Sequence, residues 1–435
     1  MTRCNNTSIG VWLKMVRGTL LFFTALFSIN AVYAQPGPLE HGLQRTAQEI
    51  AALDNLISRS SLNSELYLKR ARLYLSWYEH YGAQVEYKGV VYATDPGGKA
   101  LADIERAIEL DPHSEAFTLR GRYYEANFRH QKPANLDSKM VDWNEVAQYY
   151  WQNDSFKSAV ADYHKGLQSA RSPKEKADAL YRLGWLYRSR ALAFSDYSPA
   201  NYLAKLVRAE RKTNLVFEDF DKSLAFMKMH IDAIGSKYGG ASDIRDTYQD
   251  KARAAALFED RAEGLRTLTA GINALKGVEW EEELVYRLYV LRGELHFRAG
   301  DFSSALRDYN YPIERNYANS VNVYEKRGDV YAATGKLEFA IRDYTQEISK
   351  PNSYPQDRLF LKRGRVYLAL GDVEKAVADL SHVLRYGSAC PEPRSLRAKA
   401  YRLLHKESLA EEDEKIAKSI YARNRSACGL LYQEF

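Results

Sequence analysis

The chain has 435 residues, of which 46% are hydrophobic and 12% aromatic, enough apolar material for one large core or several small ones. Lys and Arg total 62 against 56 for Asp and Glu, and the first 34 residues hold three of these bases and no acid. The remainder is close to neutral, so no basic footprint for nucleic acid is present and we expect no nucleic-acid partner.

The first 34 residues have the pattern of a secretory signal peptide. Lys14 and Arg17 precede the apolar run 19–29, and small residues suit cleavage after Ala34. That run is too short for an ordinary spanning helix, and no other apolar run approaches the required length. We therefore expect export, to the bacterial periplasm or by secretion, and no stable membrane span after cleavage.

Two further predictions concern the start of the chain and the segment that follows the signal peptide. Met1 and Met15 both stay open as the true start, since residues 15–34 alone form a compact signal peptide. The next segment, 35–63, is predicted to be a helix that caps the rest of the chain.

From residue 64 to residue 421 the chain repeats one helical pattern, in which a small residue lies among aromatic or aliphatic ones four before it and three after it. The small residues that anchor repeats 1 to 8 are Ala71, Gly121, Gly184, Ala252, Gly293, Gly328, Gly364 and Ala398. A second small or aliphatic residue marks a second helix, at Ala100, Ala159, Val216, Gly264, Ala305, Ala340, Ala376 and Ala410. This self-similarity predicts stacked helix hairpins, none of which covers its apolar face alone.

The pattern resembles the tetratricopeptide repeat family. The matching residues are Tyr324, Gly328, Tyr331, Ala340 and Tyr344 in repeat 6, and Phe360, Gly364, Tyr367 and Ala376 in repeat 7. The resemblance implies an all-α, right-handed superhelical solenoid of antiparallel helix hairpins. Gly300, Gly335 and Gly371 fall at the turns between helices, where a left-handed residue ends the first helix.

A charged pair recurs with the repeat. Arg precedes the small residue at Arg70, Arg120, Arg292, Arg327, Arg363 and Arg397. The matching second helices carry Asp103, Asp162, Asp308, Asp343, Asp379 and Asp413. We infer a partly shielded Arg–Asp contact between the two helices of each hairpin, a structural clasp rather than a row of functional acid–base pairs. Repeat 4 has Lys251 and Thr267 instead, and repeat 3 has Leu183 although it keeps Asp219.

The first three repeats carry insertions. The two anchor residues lie 12 residues apart in repeats 4 to 8, but 29, 38 and 32 residues apart in repeats 1 to 3. We expect inserted loops between the helices of these repeats, clustered on one edge. The first contains EYKGVVYA, predicted to be a small hairpin, and then DPGGK, predicted to be a turn without the pattern of a phosphate loop. The third, residues 195–214, is predicted to be a polar loop with a helix extension.

The second insertion is rich in aromatic side chains: Trp143, Tyr149, Tyr150 and Trp151. Packing against the first repeats is the favoured interpretation of these residues. A stacking platform for a sugar or a peptide stays open, and it supports an alternative function, a carbohydrate- or envelope-binding module.

Nothing in the sequence points to catalysis. The histidines form no ligand cluster, and the sequence has no H-E-x-x-H, C-x-x-C or G-x-S-x-G motif. We therefore expect no enzyme activity, no cofactor and no metal; an enzyme sited in the insertions is the least favoured of three functions.

The resemblance implies that the first helices line a concave groove that receives a protein or peptide partner. The groove candidates carried over are Arg72, Arg122, Arg182, Trp185, Arg365, Lys399 and Arg402. Family members that clamp a C-terminal carboxylate use Lys and Asn at these slots, and because only Lys399 matches, that role is not predicted. The basic end of the groove suits an acidic partner, but an empty, solvated groove has the same charges.

Two cysteines remain after the predicted cleavage. Cys390 precedes the first helix of repeat 8 and Cys428 follows its second helix, so an antiparallel hairpin would return them to the same end, where a disulfide is possible. The predicted divisions of the chain are 1–34 (signal peptide), 35–63 (capping helix), 64–244 (repeats with insertions), 245–421 (regular repeats) and 422–435 (tail).

Overall fold

The computed structural model describes residues 38–132, 142–194, 202–234, 240–278, 281–318, 322–350, 356–385 and 390–423. The predicted signal peptide and Cys428 lie outside these residues. None of the described helices is both long enough and apolar enough to cross a bilayer.

The described residues form helices with one short pair of strands. In chain order the elements are α1 (Pro38–Arg59), α2 (Ser64–Tyr81), β1 (Gln84–Tyr87), β2 (Val90–Thr94), α3 (Pro96–Leu110), α4 (Ser114–His130), α5 (Trp143–Tyr150), α6 (Asp154–Gln168), α7 (Pro173–Leu192), α8 (Tyr202–Ala209), α9 (Thr213–Ile234), α10 (Ala241–Leu257), α11 (Arg261–Ala274), α12 (Glu281–Arg298), α13 (Phe302–Glu314), α14 (Val323–Ala333), α15 (Leu337–Ile348), α16 (Gln356–Leu370), α17 (Val373–Leu384), α18 (Glu392–Leu403) and α19 (Glu407–Arg423).

The chain divides into two compact units. The first comprises Met1–Pro133 with Trp151–Glu175, and the second comprises Ala134–Tyr150 with Lys176–Phe435. Helices α2 and α3 pair as repeat 1, and α4 and α6 pair as repeat 2, in the first unit. In the second unit, α10 to α19 pair in succession as repeats 4 to 8. The predicted all-α solenoid of antiparallel hairpins is therefore confirmed within each unit.

An N-terminal cluster ties α1 to the first hairpin. Leu43 and Ile50 of α1 pack with Trp77 of α2 and with Val85 and Ala93 of the two strands, and all five are buried. Burial of this face removes apolar surface from water, worth about 25 cal/mol per Å². The helix lies within the segment predicted to cap the chain.

The predicted hairpin of the first insertion is confirmed. β1 and β2 pair antiparallel, with Tyr87 opposite Val90, and Lys88 and Gly89 form the turn with φ of 49° and 78°. Positive φ at both turn positions matches the right-handed twist of the strands. The prediction of a turn at DPGGK is wrong: Asp95 caps α3 by accepting a hydrogen bond from the backbone N–H of Gly98, so Pro96 begins the helix.

The predicted left-handed turns of the regular repeats are also confirmed. Gly300, Gly335 and Gly371 have φ of 77°, 73° and 88°. Glu259 in repeat 4 and His405 in repeat 8 take the same conformation at the same turn, with φ of 60° and 55°. The helix pairing therefore sets the left-handed conformation at this turn, and glycine only lowers the conformational energy that positive φ costs.

The second and third insertions contain short helices. In chain order, α5 follows the first helix of repeat 2 and precedes the second, and α8 has the same place in repeat 3. The helix extension predicted within 195–214 is present as α8, but the predicted polar character is wrong there, because Leu203, Ala204 and Val207 of α8 are buried. Spacings of one, three and four residues put these three side chains on one helix face, which packs inward.

Candidate functional site

The predicted Arg–Asp clasp joins the two helices of every hairpin in which both residues occur. In repeats 1, 2, 5, 6, 7 and 8, Arg Nε and Nη2 donate to the two carboxylate oxygens over 2.6 to 2.9 Å. The aspartate side chains are only 3% to 8% exposed. A buried carboxylate needs such a bidentate partner, so the clasp is structural.

Repeats 3 and 4 also have a clasp between their two helices. In repeat 3, Arg190 donates to both oxygens of Asp219 over 2.7 Å. Arg190 precedes the small residue Ala191, as the clasp arginine does in the other repeats, so Ala191 anchors repeat 3 and the predicted anchor Gly184 is wrong. In repeat 4, Lys251 stands at the arginine position and binds Glu263 of its own second helix at 3.0 Å and Asp221 of repeat 3 at 2.6 Å. The usual pair is thus kept in repeat 3, whereas in repeat 4 the acid lies one turn earlier on the second helix.

A second bond of the arginine links one repeat to the next, and the sequence analysis missed it. The remaining nitrogen, Nη1, donates to a polar side chain two positions beyond the preceding clasp acid or its equivalent. The pairs are Arg292–Thr269, Arg327–Asn310, Arg363–Thr345 and Arg397–Ser381, over 2.7 to 3.2 Å. The recurrence of a Thr, Asn or Ser at this position is the sequence signal that would have found it.

The anchor glycines allow a tyrosine to cross the first helix. A Cβ at Gly328 would lie 2.7 Å from Cε1 of Tyr344, and one at Gly293 would lie 2.7 Å from Cε1 of Tyr309. At Gly364 the facing residue is a leucine, Leu380, whose Cγ is 3.2 Å away. The glycine is therefore required where an aromatic ring faces it, because a ring cannot bend away as a leucine can.

These tyrosines reach a groove on the face of the first helices in repeats 5, 6 and 7. The groove encloses about 580 Å³ and is lined by residues of α12, α14 and α16 together with Tyr309 and Tyr344. The hydroxyl of Tyr344 donates to Oδ1 of Asp329 over 2.7 Å. Burial raises the pKa of both tyrosines, with the nearby carboxylates adding to the effect, so each hydroxyl stays protonated.

Acidic residues of one repeat are held by bases of the same or the next repeat along this groove. Glu294 accepts from Arg298 and Lys326, each over 2.9 Å. Burial acts to raise the pKa of Glu294, but Lys326 and Arg298 outweigh it and the net effect lowers the pKa. The carboxylate is therefore charged and held in place.

The next carboxylates in the groove follow the same rule. Glu325 accepts from Arg358 over 2.5 Å and lies 2.8 Å from Lys362 Nζ, and these charges outweigh burial and lower its pKa. Lys362 also donates to Asp329 over 2.6 Å, but burial dominates there and raises the pKa of Asp329. The lining is thus a ladder of ion pairs that sets the groove's shape before any ligand arrives.

Two predicted groove residues in the first unit are engaged in ion pairs between repeats. Arg72 of repeat 1 contacts Glu115 of repeat 2. Arg122 of repeat 2 donates to both oxygens of Glu79 of repeat 1, over 2.9 and 2.8 Å. Both positions lie on the first helices, as the resemblance implied, and a role in binding a partner stays a prediction.

Arg182 lies one residue off the row of groove slots. The slot three residues before Gly184 is Tyr181, which accepts a 2.5 Å hydrogen bond from Nε1 of Trp185, the second predicted candidate in this repeat. The Nε of Arg182 is buried without a hydrogen-bond partner in the described chain.

The C-terminal candidates differ in their engagement. Arg365 lines the groove and contacts Glu392 of repeat 8. Lys399 is exposed on α18. Arg402 contacts Glu414 and lies 3.6 Å from Glu407, both on α19. Only Arg365 of these three lines the described groove.

Two of the four aromatic residues of the second insertion are buried. Tyr149 and Tyr150 are 7% and 3% exposed and their rings meet edge to face at 4.7 Å. Tyr150 also packs edge to face on Phe194 at 4.8 Å. Trp143 and Trp151 are partly exposed. A ligand role for these four residues stays a prediction.

The cysteine prediction rests on a residue outside the described chain. Cys390 is buried, with 2% of its surface exposed, just before α18. Cys428 lies beyond residue 423, the last one described. The disulfide between them therefore stays a prediction.

The tetratricopeptide repeat family model matches residues 357–386, which span α16 and α17. Repeat 7 is therefore a tetratricopeptide repeat, as its sequence indicated, and the other described hairpins carry the same anchors. No curated protein matches the chain in sequence.

Several solved structures match the chain at low identity. A signal-transduction ATPase with a tetratricopeptide repeat sensor from Pyrococcus horikoshii matches with 12% identity and a TM-score of 0.41 over 83% of this chain and 53% of that chain. This chain thus spans about half the length of that protein. Yeast Tom70 matches with 12% identity and a TM-score of 0.31 over 91% of this chain and 63% of that one. A tetratricopeptide repeat protein from Parabacteroides merdae matches with 13% identity and a TM-score of 0.28 over 78% and 98%.

Proposed function

We propose that the protein is an exported, non-catalytic scaffold that holds a segment of a partner protein in the groove of repeats 5 to 7. The observation that carries the proposal is the groove itself: about 580 Å³ of space whose charged walls are already fixed by ion pairs. A preformed site loses little conformational entropy when a ligand binds. The inserted loops of repeats 1 to 3 provide a second surface for contact, since binding residues are often on loops held by a rigid scaffold.

Site-specific photo-crosslinking tests the groove. A photoreactive residue at Ala333, which lines the groove and is exposed, is expected to capture a partner in envelope extract. The matched control is the same residue at Phe339, which is exposed on the second helix of the same repeat. Equal capture at both positions, or capture at the control position alone, would contradict the proposal.

The export part of the proposal rests on the signal-peptide pattern of residues 15–34. N-terminal sequencing of the mature protein is expected to begin at Gln35. A mature chain that retains Met1 or Met15 and stays in the cytoplasmic fraction would refute export and leave the groove proposal intact.

The alternative carbohydrate-binding function depends on Trp143 and Trp151, which are partly exposed. Substitution of both by Ala separates it from the scaffold function. Lost retention on immobilised glycan with an unchanged helical circular dichroism spectrum would favour the alternative; no retention by the unmodified protein would dismiss it.

A further inference from the structure

The groove of repeats 5 to 7 carries more positive than negative charge. Five basic side chains line it against three acidic ones. The bases are Arg298, Lys326, Arg358, Lys362 and Arg365, and the acids are Glu294, Glu325 and Asp329. Arg365 also contacts Glu392 of repeat 8, so four acids face the five bases and one positive charge remains on the walls.

Four of the five bases are more exposed than any of the three acids. The carboxylate side chains are 25%, 5% and 25% exposed. The basic side chains are 30%, 32%, 38%, 21% and 36% exposed in the order given above, so Lys362 is the exception. A ligand that enters therefore has access to the N–H donors of these four bases, while their ion pairs with the acids fix the donors in position.

Two arginines keep donors that their own ion pairs do not use. Arg298 donates to Glu294 through Nη2, and Arg358 donates to Glu325 through Nη2. The other nitrogens of these two guanidinium groups have no hydrogen bond to the described chain. A guanidinium carries five N–H donors, so each of these can still take up a carboxylate oxygen.

The floor between the charges is apolar. Phe297 of repeat 5 and Leu361 and Val366 of repeat 7 line the same groove. Such a floor suits an aliphatic or aromatic side chain that lies between charged neighbours along an extended segment. Four of the cations meet in two pairs, Arg298 with Lys326 at Glu294 and Arg358 with Lys362 at Glu325. Two separate pairs fit carboxylates spaced along a segment better than a single chain terminus.

We propose that the groove binds an extended protein segment in which internal Asp or Glu side chains flank an apolar one. This inference rests on the proposed scaffold function and names its partner class. Lys399, on the first helix of repeat 8, is exposed and adds a further positive charge in the repeat that follows the groove along the chain.

An unbiased selection tests the partner class. The purified mature protein is used to select from displayed peptides of random sequence, and the selected peptides are resynthesised with amidated C-termini. We expect them to be acidic, to contain at least one apolar residue, and to bind equally well with a free or an amidated terminus. Affinity is expected to fall steadily as salt rises, because the attraction is between partly exposed charges.

A double variant locates the binding. Arg298→Gln with Arg358→Gln leaves Glu294 paired with Lys326 and Glu325 beside Lys362, so the fold is kept. We expect its Kd for a selected peptide to rise by at least roughly tenfold, the loss expected for one hydrogen bond to a charged group. The matched control is Arg307→Gln with Arg342→Gln, which removes the same charge from exposed positions on the second helices and is expected to stay within about twofold.

Each contrary outcome is distinct. Selected peptides that are basic or uncharged, failure to select any peptide, or equal losses in the groove and control variants would each overturn the acidic partner class. A peptide that needs a free C-terminus would overturn the internal segment. In all of these cases, photo-crosslinking at Ala333 still reports separately on whether the groove holds a partner.

Discussion

Repeat 2 and repeat 6 build the same joint from very different lengths of chain. In repeat 2, 42 residues separate Arg120 from Asp162, whereas in repeat 6 only 16 residues separate Arg327 from Asp343. The bonds measure 2.7 and 2.9 Å in one and 2.7 and 2.8 Å in the other. The joint is therefore fixed by the packing of two helices, and the connection between them is free to lengthen and carry other elements.

The same two repeats differ in how they join their neighbours. Arg327 also donates through Nη1 to Asn310 of the preceding repeat. Arg120 makes no such bond within the described residues, and its guanidinium lies 5.8 Å from the ring of Phe117. The insertion has thus preserved the clasp within the hairpin, while repeat 2 is joined to repeat 1 by the ion pairs of Arg72 and Arg122 instead of by an Nη1 bond of its clasp arginine.

The largest expected effect comes from breaking the clasp in both repeats. Arg327→Met and Arg120→Met each leave a buried aspartate without its cation, which costs about 3–5 kcal/mol of local stability. We expect the two losses to agree to within about 1 kcal/mol, apart from the Asn310 link that only repeat 6 has. Hydrogen exchange resolved by helix, with urea unfolding, measures both.

Arg342→Met is the control for this comparison, because Arg342 is exposed on the second helix of repeat 6. It is expected to change stability by less than about 0.5 kcal/mol. A much smaller loss at Arg120 than at Arg327 would mean that the insertion itself, and not the clasp, holds repeat 2 together.

A smaller effect is expected at the anchor glycines. Gly328→Ala drives a Cβ to 2.7 Å from the ring of Tyr344, and such overpacking costs about 1–3 kcal/mol. Gly364→Ala meets Leu380 at 3.2 Å, where rotation of the leucine and the helix propensity of alanine leave a change near zero, within about 1 kcal/mol. Thermal unfolding of the two variants gives the contrast, and equal losses would rule out the ring as the reason for the glycine.

Removal of a link between repeats is expected to cost less again. Asn310→Ala deletes the acceptor of Arg327 Nη1, a loss of about 1 kcal/mol at the junction of repeats 5 and 6. The control is Asn273→Ala, exposed on α11. Hydrogen exchange of α14 should rise in the first variant alone; unchanged exchange there would show that packing carries the junction without the bond.

The smallest effect concerns acid pH. Burial raises the pKa of Asp329, so the folded protein keeps a proton that the unfolded chain has already released. The stability contributed by this group is therefore full below the ordinary carboxyl pKa and is lost as pH rises through the folded value. Asp329→Asn should gain stability relative to the unmodified protein across that rise, measured by urea unfolding at a series of acid pH values.

The exposed Asp154, whose side chain is 97% exposed, gives the control substitution Asp154→Asn. The same pH dependence in Asp154→Asn would mean that the burial of Asp329 is not the cause. A stability difference between Asp329→Asn and the unmodified protein that does not change with pH would mean that Lys362 and Tyr344 cancel the effect of burial on the pKa of Asp329 in the folded protein.

The sequence predicted the contacts that recur at the same position in successive repeats. Arg327 and Asp343 recur with their equivalents at one spacing, so their contact was predictable from the period alone. The contact in repeat 3 was missed, because the register of that repeat was set on Gly184, whereas Arg190 precedes the small residue Ala191 and pairs with Asp219. Periodicity therefore finds a repeated contact only where each repeat is given its correct register.

The sequence predicted a groove lined by the first helices, but it did not predict the ion pairs that form the walls of the groove. Arg365 was among the predicted groove residues and lines the groove, yet the pairing of Glu294 and Asp329 with bases of the next repeat was overlooked. Lys326 follows Glu294 by 32 residues and Lys362 follows Asp329 by 33. Charges at this spacing oppose each other only when two repeats are stacked, so a pairing between repeats has no signature within a single one.

The arginine bond from each regular repeat to the one before it gives the growing chain a direction. The acceptors on the earlier repeats are Thr269, Asn310, Thr345 and Ser381, all uncharged, and the donors always arrive from the later repeat. A nascent chain that has made only its first hairpins therefore ends, on this side, in hydroxyl and amide groups that water satisfies until the next arginine emerges. On this side a pause in synthesis at a repeat boundary leaves no charged side chain waiting for the next repeat, whereas on the groove side Glu325 still waits for Arg358 and Lys362.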